Sequence, residues 1–398
     1  MLFRVLLSSS FLVSALMAEI GHTELLNEFK KSHPLAKNFA LEVDVIGAKK
    51  AMLTSGTPYE ILGTAAHAKE KFFNKEEDFE YSVGLAKTFV LPHANAIISS
   101  SVDLQTKISL LQKEQELIVY MYDLLDLYHQ SCLQRETVSL YKQLSLQLEA
   151  LHVKNERAYE LGEISKKDLI LWHLQQQRMK LEFEKKESER FALFRTLQSK
   201  FGSKIKIKKL TCSDMYDFQL PQQSHNFDDF LAMKRLVLTR EMHELKSEEH
   251  WFHEMGVELS YDNEMDKERY NASLNIPLEF TVSHHESMAE MHRLQTLQSS
   301  NEMGLFEMQK RKELQAAYLK LEQAYKSYNE LEGPMSEDAI SLMDLTQTAY
   351  QSGESTAIEL ITIQQYVMDI LMQLQEMKSQ FYGALFDYKK RSITGEEF

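Results

Sequence analysis

The chain has 398 residues, a formal net charge of −14, 43% hydrophobic residues, 13 glycines, 6 prolines and 2 cysteines. That acidic balance argues against nucleic-acid partners and against adhesion to anionic lipid. Scarce Gly and Pro beside plentiful Leu, Glu, Lys, Gln and Met point to long helices.

The chain opens with MLFRVLLSSSFLVSALMA, which has one early cation at Arg4, a mainly apolar run from Val5 to Met17, and small residues at Ala15 and Ala18. This is the pattern of a secretory signal cut after Ala18. The alternative, an N-terminal membrane anchor, is disfavoured because the run falls short of the roughly 20 residues a spanning helix needs. No cysteine lies near the cut to carry a lipid. Residues 19–38 form an N-terminal segment, and no later stretch resembles a transmembrane helix, since charges break every apolar run.

Two units follow. AYELGEISKKDLI at 158–170 recurs as AYQSGESTAIELI at 349–361, an offset of 191 residues. The same offset places Phe79, Val83 and Leu85 on Tyr270, Leu274 and Ile276. A shared offset over such a distance marks an internal repeat. Residues 39–202 and 230–395 read as the two copies, joined by a polar connector over 203–229. Each copy runs in the order short helix, two strands, very long helix, Gly motif, shorter helix.

The first strands fall near YEILGTAAHA (59–68) and MGVELSYD (255–262). The second strands alternate: Phe79, Tyr81, Val83 and Leu85 oppose Glu80, Ser82, Gly84 and Ala86, and Tyr270, Ala272, Leu274 and Ile276 oppose Asn271, Ser273 and Asn275. Such a period of two fits a barrel with lipid outside and water inside, and equally a sheet over a helical core. Charged tips, NKEED and NEMDKER, form the turns.

The long helices run from about Asn95 to Tyr159, a rod on the order of 100 Å at about 1.5 Å per residue, and from about His284 to Tyr350. Gly333-Pro334 predicts a kink or short break in the second. Leu314, Tyr318, Leu321, Tyr325 and Tyr328 step by four and three, as do Leu360, Ile363, Val367, Ile370, Leu374, Met377, Phe381, Ala384 and Tyr388. A sustained 3.5-residue period means helices wound on partners.

Each Gly motif then reads as the tip of a helical hairpin. Gly162 and Gly353 end one helix in the left-handed conformation. Ser165 and Thr356 cap the returning helix, and Asp168 and Glu359 complete capping boxes. A capped turn leaves unexplained why Tyr159 and Tyr350 recur beside it.

An exported chain with two repeats, two strands per repeat, and a heptad hairpin tipped by Tyr-x-x-Gly-x-x-[Ser/Thr]-x-x-[Asp/Glu]-Leu resembles the TolC-like outer-membrane efflux family. The resemblance spans nearly the whole mature chain. It implies a mainly α fold with a small β part: a homotrimer whose protomers each give four strands to one twelve-stranded outer-membrane β-barrel, with twelve helices forming a periplasmic α-barrel. It implies no cofactor. It implies partners in outer-membrane lipid, a periplasmic adaptor protein and an inner-membrane transporter. The second hairpin is the inner one in the family, so Tyr350 matches the closing network and Glu359 the acidic constriction ring. Thr362 stands where a second acid occurs, and Ser355 where an arginine clamps the closed state, so closure is expected to be wired differently here. The tips, through Tyr159, Gly162, Ser165, Asp168, Gly353 and Thr356, are expected to dock the adaptor. A looser likeness of TPYEILGTAAHA, in which Pro58 and Leu62 hold, points to the heavy-metal cation branch; other cargo would be small organic toxins. A type I protein-secretion duct and a periplasmic coiled-coil scaffold are the competing readings.

Other chemistry is sparse. Cys132, in a helix, and Cys212, in a loop, read as two unpaired thiols. His250 and His253, then His284, His285 and His292, and His93 fall where helices meet strands, and lacking a third ligand at fixed spacing they read as solvated or interfacial rather than as metal sites. There is no nucleophile with its base, no phosphate loop and no HExxH, and Asp168 and Glu359 lie on different hairpins. The chain reads as a non-enzyme.

Overall fold

The computed structural model describes residues 19–54, 57–69, 77–201, 207, 209–223, 228–248, 254–264, 267–276 and 282–392. The expected signal segment, His250 and His253, the side chains of His284 and His285, and parts of both strand tips lie outside the described residues.

In chain order the elements are β1 (Glu19–Ile20), α1 (His22–Ser32), α2 (Pro34–Thr54), β2 (Tyr59–Lys69), β3 (Glu77–Val90), α3 (Pro92–Glu160) and α4 (Lys166–Phe201). Then come β4 (Lys209–Leu210), a 3-10 turn at Cys212–Asp214, α5 (Asp228–Glu248), β5 (Glu254–Glu264), β6 (Lys267–Asn275), α6 (Val282–Glu332), α7 (Pro334–Ser352) and α8 (Ala357–Arg391). Both long helices begin a few residues earlier than the periodicity suggests. Pro92 stands at the first position of α3, where its missing N–H costs nothing. The expected break is real: α6 stops at Glu332, Gly333 leaves helical geometry at φ −68° and ψ −111°, and Pro334 starts α7.

The chain divides into two compact units, one of residues 1–37, 116–226 and 311–393, the other of 38–115, 227–310 and 394–398. The second unit holds an antiparallel sheet in the order β2-β3-β5-β6. Register sorts its side chains by chemistry. Ile61, Leu85, Leu259 and Ala272 form one row across the four strands, with Gly63, Val83, Tyr261 and Tyr270 beside it. On the opposite side Thr64, Ser82, Asp262 and Arg269 form one row, and Glu60, Ala86, Glu258 and Ser273 another. Asp262 accepts hydrogen bonds from Ser82 and Asn271, which ties the polar side across three strands.

The first unit is built on the heptad stripes. Leu314, Leu321 and Tyr328 of α6 are buried, as are Leu360, Val367, Ile370, Phe381, Ala384 and Tyr388 of α8. One core cluster joins Leu25 and Phe29 of α1 to Leu124 and Tyr128 of α3 and Leu197 of α4. Another joins Leu148 and Leu151 of α3 to Trp172 and Met179 of α4 and to Leu360 of α8. Phe218, from the connector, inserts its ring 4.1 Å from both Tyr328 and Phe381.

The reading of two unpaired thiols is overturned. Cys132 and Cys212 are joined in a disulfide, with their Cα atoms 5.5 Å apart. The connector makes this contact by folding back along α3. Tyr128 donates its hydroxyl to the Thr211 carbonyl, Arg135 Nη1 donates to Leu210 O at 3.0 Å, and Tyr216 N–H donates to His129 Nε2 at 2.9 Å. The sequence separation of 80 residues hid that path. A disulfide fits a chain destined for an oxidising compartment.

Candidate functional site

Both hairpin tips close in the same way. Gly162 and Gly353 take φ 75° and 79°. At the first, Gly162 N–H donates to Tyr159 O and Glu163 N–H to Ala158 O; at the second, Gly353 N–H donates to Tyr350 O and Glu354 N–H to Ala349 O. These are paired Schellman bonds, which satisfy carbonyls that the ending helix leaves open. Replacing Gly353 with alanine forces a Cβ into left-handed backbone and should cost roughly 1–2 kcal/mol. The thermal midpoint of the purified protein should fall, and Gly353→Asn should fall less.

The returning helices start differently, and of the two expected capping boxes only the one at Thr356 and Glu359 is complete. Thr356 Oγ1 accepts from Glu359 N–H at 3.3 Å while Glu359 Oε2 accepts from Thr356 N–H at 2.9 Å, a complete capping box. At the first tip Ser165 Oγ accepts from Asp168 N–H at 3.2 Å and donates to Asp168 Oδ2 at 2.7 Å. Aspartate is one methylene shorter than glutamate, so its carboxylate meets the Ser165 hydroxyl in place of the backbone N–H. Ser355 Oγ adds a further bond to Glu359 Oε2 at 2.9 Å. The Thr356 N–H and the Ser355 hydroxyl together hold the Glu359 carboxyl below its ordinary range, so it is charged and exposed at the turn. Thr362 turns its hydroxyl back onto Ile358 O at 2.8 Å.

The two tyrosines part company. Tyr159 is 40% exposed. Tyr350 is half-buried: its hydroxyl donates to Asn155 Oδ1 at 3.0 Å and accepts from Trp172 Nε1 at 3.1 Å, with its ring 5.6 Å from the indole. Burial raises the Tyr350 phenol above its ordinary range, so it remains a neutral donor. The second hairpin is thereby tied to the first through Asn155 on α3 and Trp172 on α4. Asn155 does not stand out in the sequence. Trp172 is one of only two tryptophans and lies seven residues past the tip motif's Ser165, which is the one signal that could have found it.

The sheet is the second candidate surface. Ile61 is 81% and Tyr270 80% exposed on its apolar side, with Leu274, Phe79, Leu259 and Val83 also exposed there. Contiguous apolar exposure on this scale marks a surface made for lipid or protein. Tyr81, Tyr261 and Tyr270 form an aromatic row, with ring centroids 6.2 and 5.2 Å apart, and Tyr59 and Phe89 stand at the other end of the strands. Tyr81 and Phe89 lie eight residues apart on β3, about 27 Å in an extended strand, which suits two interfacial girdles around an apolar band.

Among the described residues, no helix is long and apolar enough to cross a membrane, and no group of three or more His, Cys, Asp or Glu is placed to hold a metal ion. His93 is half-buried near the start of α3.

Several solved structures share this architecture. CusC matches with a TM-score of 0.75 at 11% identity, over 93% of this chain and 91% of that one. The Campylobacter jejuni CmeC outer membrane channel matches at 0.74 and 11% identity, over 93% and 85%. The open-state Neisseria gonorrhoeae MtrE outer membrane channel matches at 0.71 and 13% identity, over 93% and 88%. No protein-family model and no curated protein matches the sequence. The fold is that of TolC-like outer-membrane channels.

Proposed function

We propose that the protein is the outer-membrane exit duct of a tripartite efflux system. In this reading it passively exports metal cations or small organic toxins that an inner-membrane pump delivers through a periplasmic adaptor. The observation that carries the reading is the four-stranded sheet, apolar on one side and polar on the other, in a chain whose longest helices form two capped hairpins. Backbone groups at open strand edges are untenable in lipid. β2 and β6 each lack a second strand neighbour among the described residues, and three copies joined edge to edge close twelve strands into a barrel. A soluble scaffold has no use for that apolar side. The water-facing side carries Glu60, Glu80, Glu254, Glu258, Asp262 and Glu264 against Lys267 and Arg269, which favours cations over anions. A type I protein-secretion duct is the second reading, and the repeat architecture over 39–202 and 230–395 serves either.

Within the duct, the second tip is the gate. Tyr350 latches the inner hairpin, Ser355 and Thr356 hold Glu359, and three symmetry copies of Glu359 form an anionic collar. The first tip, with Tyr159, Gly162, Ser165 and Asp168, is the main docking surface for the adaptor. Conductance in planar bilayers tests both parts. Wild type should conduct with cation preference, Glu359→Ala should change conductance on the order of twofold, and Asp168→Ala should leave it unchanged. Equal effects of the two substitutions would undo the division of labour. No conductance from any variant, or release of the protein from membranes by salt alone, would sink the duct itself.

A further inference from the structure

We propose that the Cys132–Cys212 pair is a redox-set clamp on the connector, entered by external thiols and disulfides only through the Cys212 sulfur. The two cysteines differ in access. Cys132 has no exposed surface, buried among Leu124, Tyr128 and Leu197, whereas Cys212 is half-buried. Cys212 also lines a cavity of about 320 Å³ walled by Arg135, Arg190, Phe191 and Phe194. Exchange requires a thiolate and an open line to the sulfur attacked. The cavity supplies the line to the Cys212 sulfur.

What the clamp holds is more than one loop. Leu210 and Thr211 are bonded to Arg135 and Tyr128, and Tyr216 lies between His129 and Tyr382, whose hydroxyl donates to Tyr216 O at 2.8 Å. β4 pairs in parallel with β1, Lys209 opposite Glu19 and Leu210 opposite Ile20. The disulfide therefore anchors both the connector and residues 19 and 20.

Closure balances as follows. The Cys212 thiolate attacks one sulfur of an external disulfide, forming a mixed disulfide and releasing a thiolate. The Cys132 thiolate then attacks the Cys212 sulfur, forming the internal bond and releasing the second external thiolate. Two electrons pass to the external disulfide, which leaves as two thiols carrying the two protons lost by the cysteines. Reduction runs the same path backwards, so an external thiolate attacks Cys212 first.

The inference is independent of the duct reading, and its test reads thiols and cleavage rather than transport. Full-length exported protein is treated with reduced glutathione, quenched with acid, and mapped by peptide mass. The oxidised protein should show no free thiol, the glutathione adduct should sit on Cys212, and proteolysis within 207–223 should run roughly tenfold faster once the bond is reduced. In single variants, Cys132→Ser should leave a thiol that reacts with oxidised glutathione at least about tenfold faster than that of Cys212→Ser. If either variant fails to fold, reduced wild type carries the test. Two free thiols in the exported protein, an adduct on Cys132, or equal cleavage of the oxidised and reduced forms would each overturn the proposal.

Discussion

If the second tip is the gate, as proposed, Tyr350→Phe should raise the open probability by about tenfold or more, and Trp172→Ala by more again. The phenol oxygen both donates to Asn155 Oδ1 and accepts from Trp172 Nε1, so deleting it strands two polar groups at once. Asn155 and Trp172 are 5% and 1% exposed, and water has little access to replace the lost bonds. Unsatisfied buried groups cost about 1–3 kcal/mol, and about 1.4 kcal/mol is tenfold in an equilibrium between latched and released hairpins. Trp172→Ala adds a cavity in the cluster around Leu148, Leu151, Met179 and Leu360, with a further cost in the range of about 3–5 kcal/mol. Its thermal midpoint should therefore drop as well, while Tyr350→Phe shows mainly the gating effect. Tyr159→Phe is the control: its side chain is exposed and should move neither readout. Unchanged conductance and melting in Tyr350→Phe would count against the proposed latch.

The second large effect is expected from acid. His129 is wholly buried; its Nδ1 meets the Leu125 carbonyl at 2.8 Å and its Nε2 meets the Tyr216 N–H at 2.9 Å. A carbonyl only accepts and an N–H only donates, so the ring is neutral with its proton on Nδ1. A second proton on Nε2 faces a donor it cannot bond. Burial, with the nearby His22 adding to it, pulls the His129 pKa from 6.5 down to about 4, against the opposing pull of the Leu125 bond. Between those values the unfolded chain is protonated and the folded one is not, so stability is full above pH 6.5 and drains as pH falls towards about 4. The whole shift is worth about 3 kcal/mol. Urea midpoints at neutral pH and near pH 5 should differ accordingly, and His129→Phe should flatten most of the slope. His33, also lowered by burial, contributes a residue of the same sign. An unchanged slope in His129→Phe would place the acid sensitivity elsewhere.

Much of this architecture is local, and local features show in sequence. The α6 and α8 stripes, the alternation of β3 and β6, the glycines that need positive φ and the hydroxyls that cap the next turn all act within about four residues of themselves. Even the asymmetry of the two caps was present as Asp168 against Glu359, although only the folded turn shows that the shorter acid stops at its own serine.

What stayed hidden depends on where distant segments meet. The Cys132–Cys212 bond, the Tyr350–Trp172–Asn155 latch and the β1–β4 pairing join residues 80, 178, 195 and 190 positions apart. No spacing rule reaches across such intervals, because the path of the connector and the facing of the hairpins are set by which apolar stripes pack together. By itself the sequence determined the helices, strands, turns and the two sides of the sheet, since backbone geometry and side-chain period act at short range. Tertiary packing alone decided that one tyrosine of the repeated pair is half-buried and bonded to the other hairpin while its counterpart is a surface group, and that two cysteines read as separate thiols form one bond.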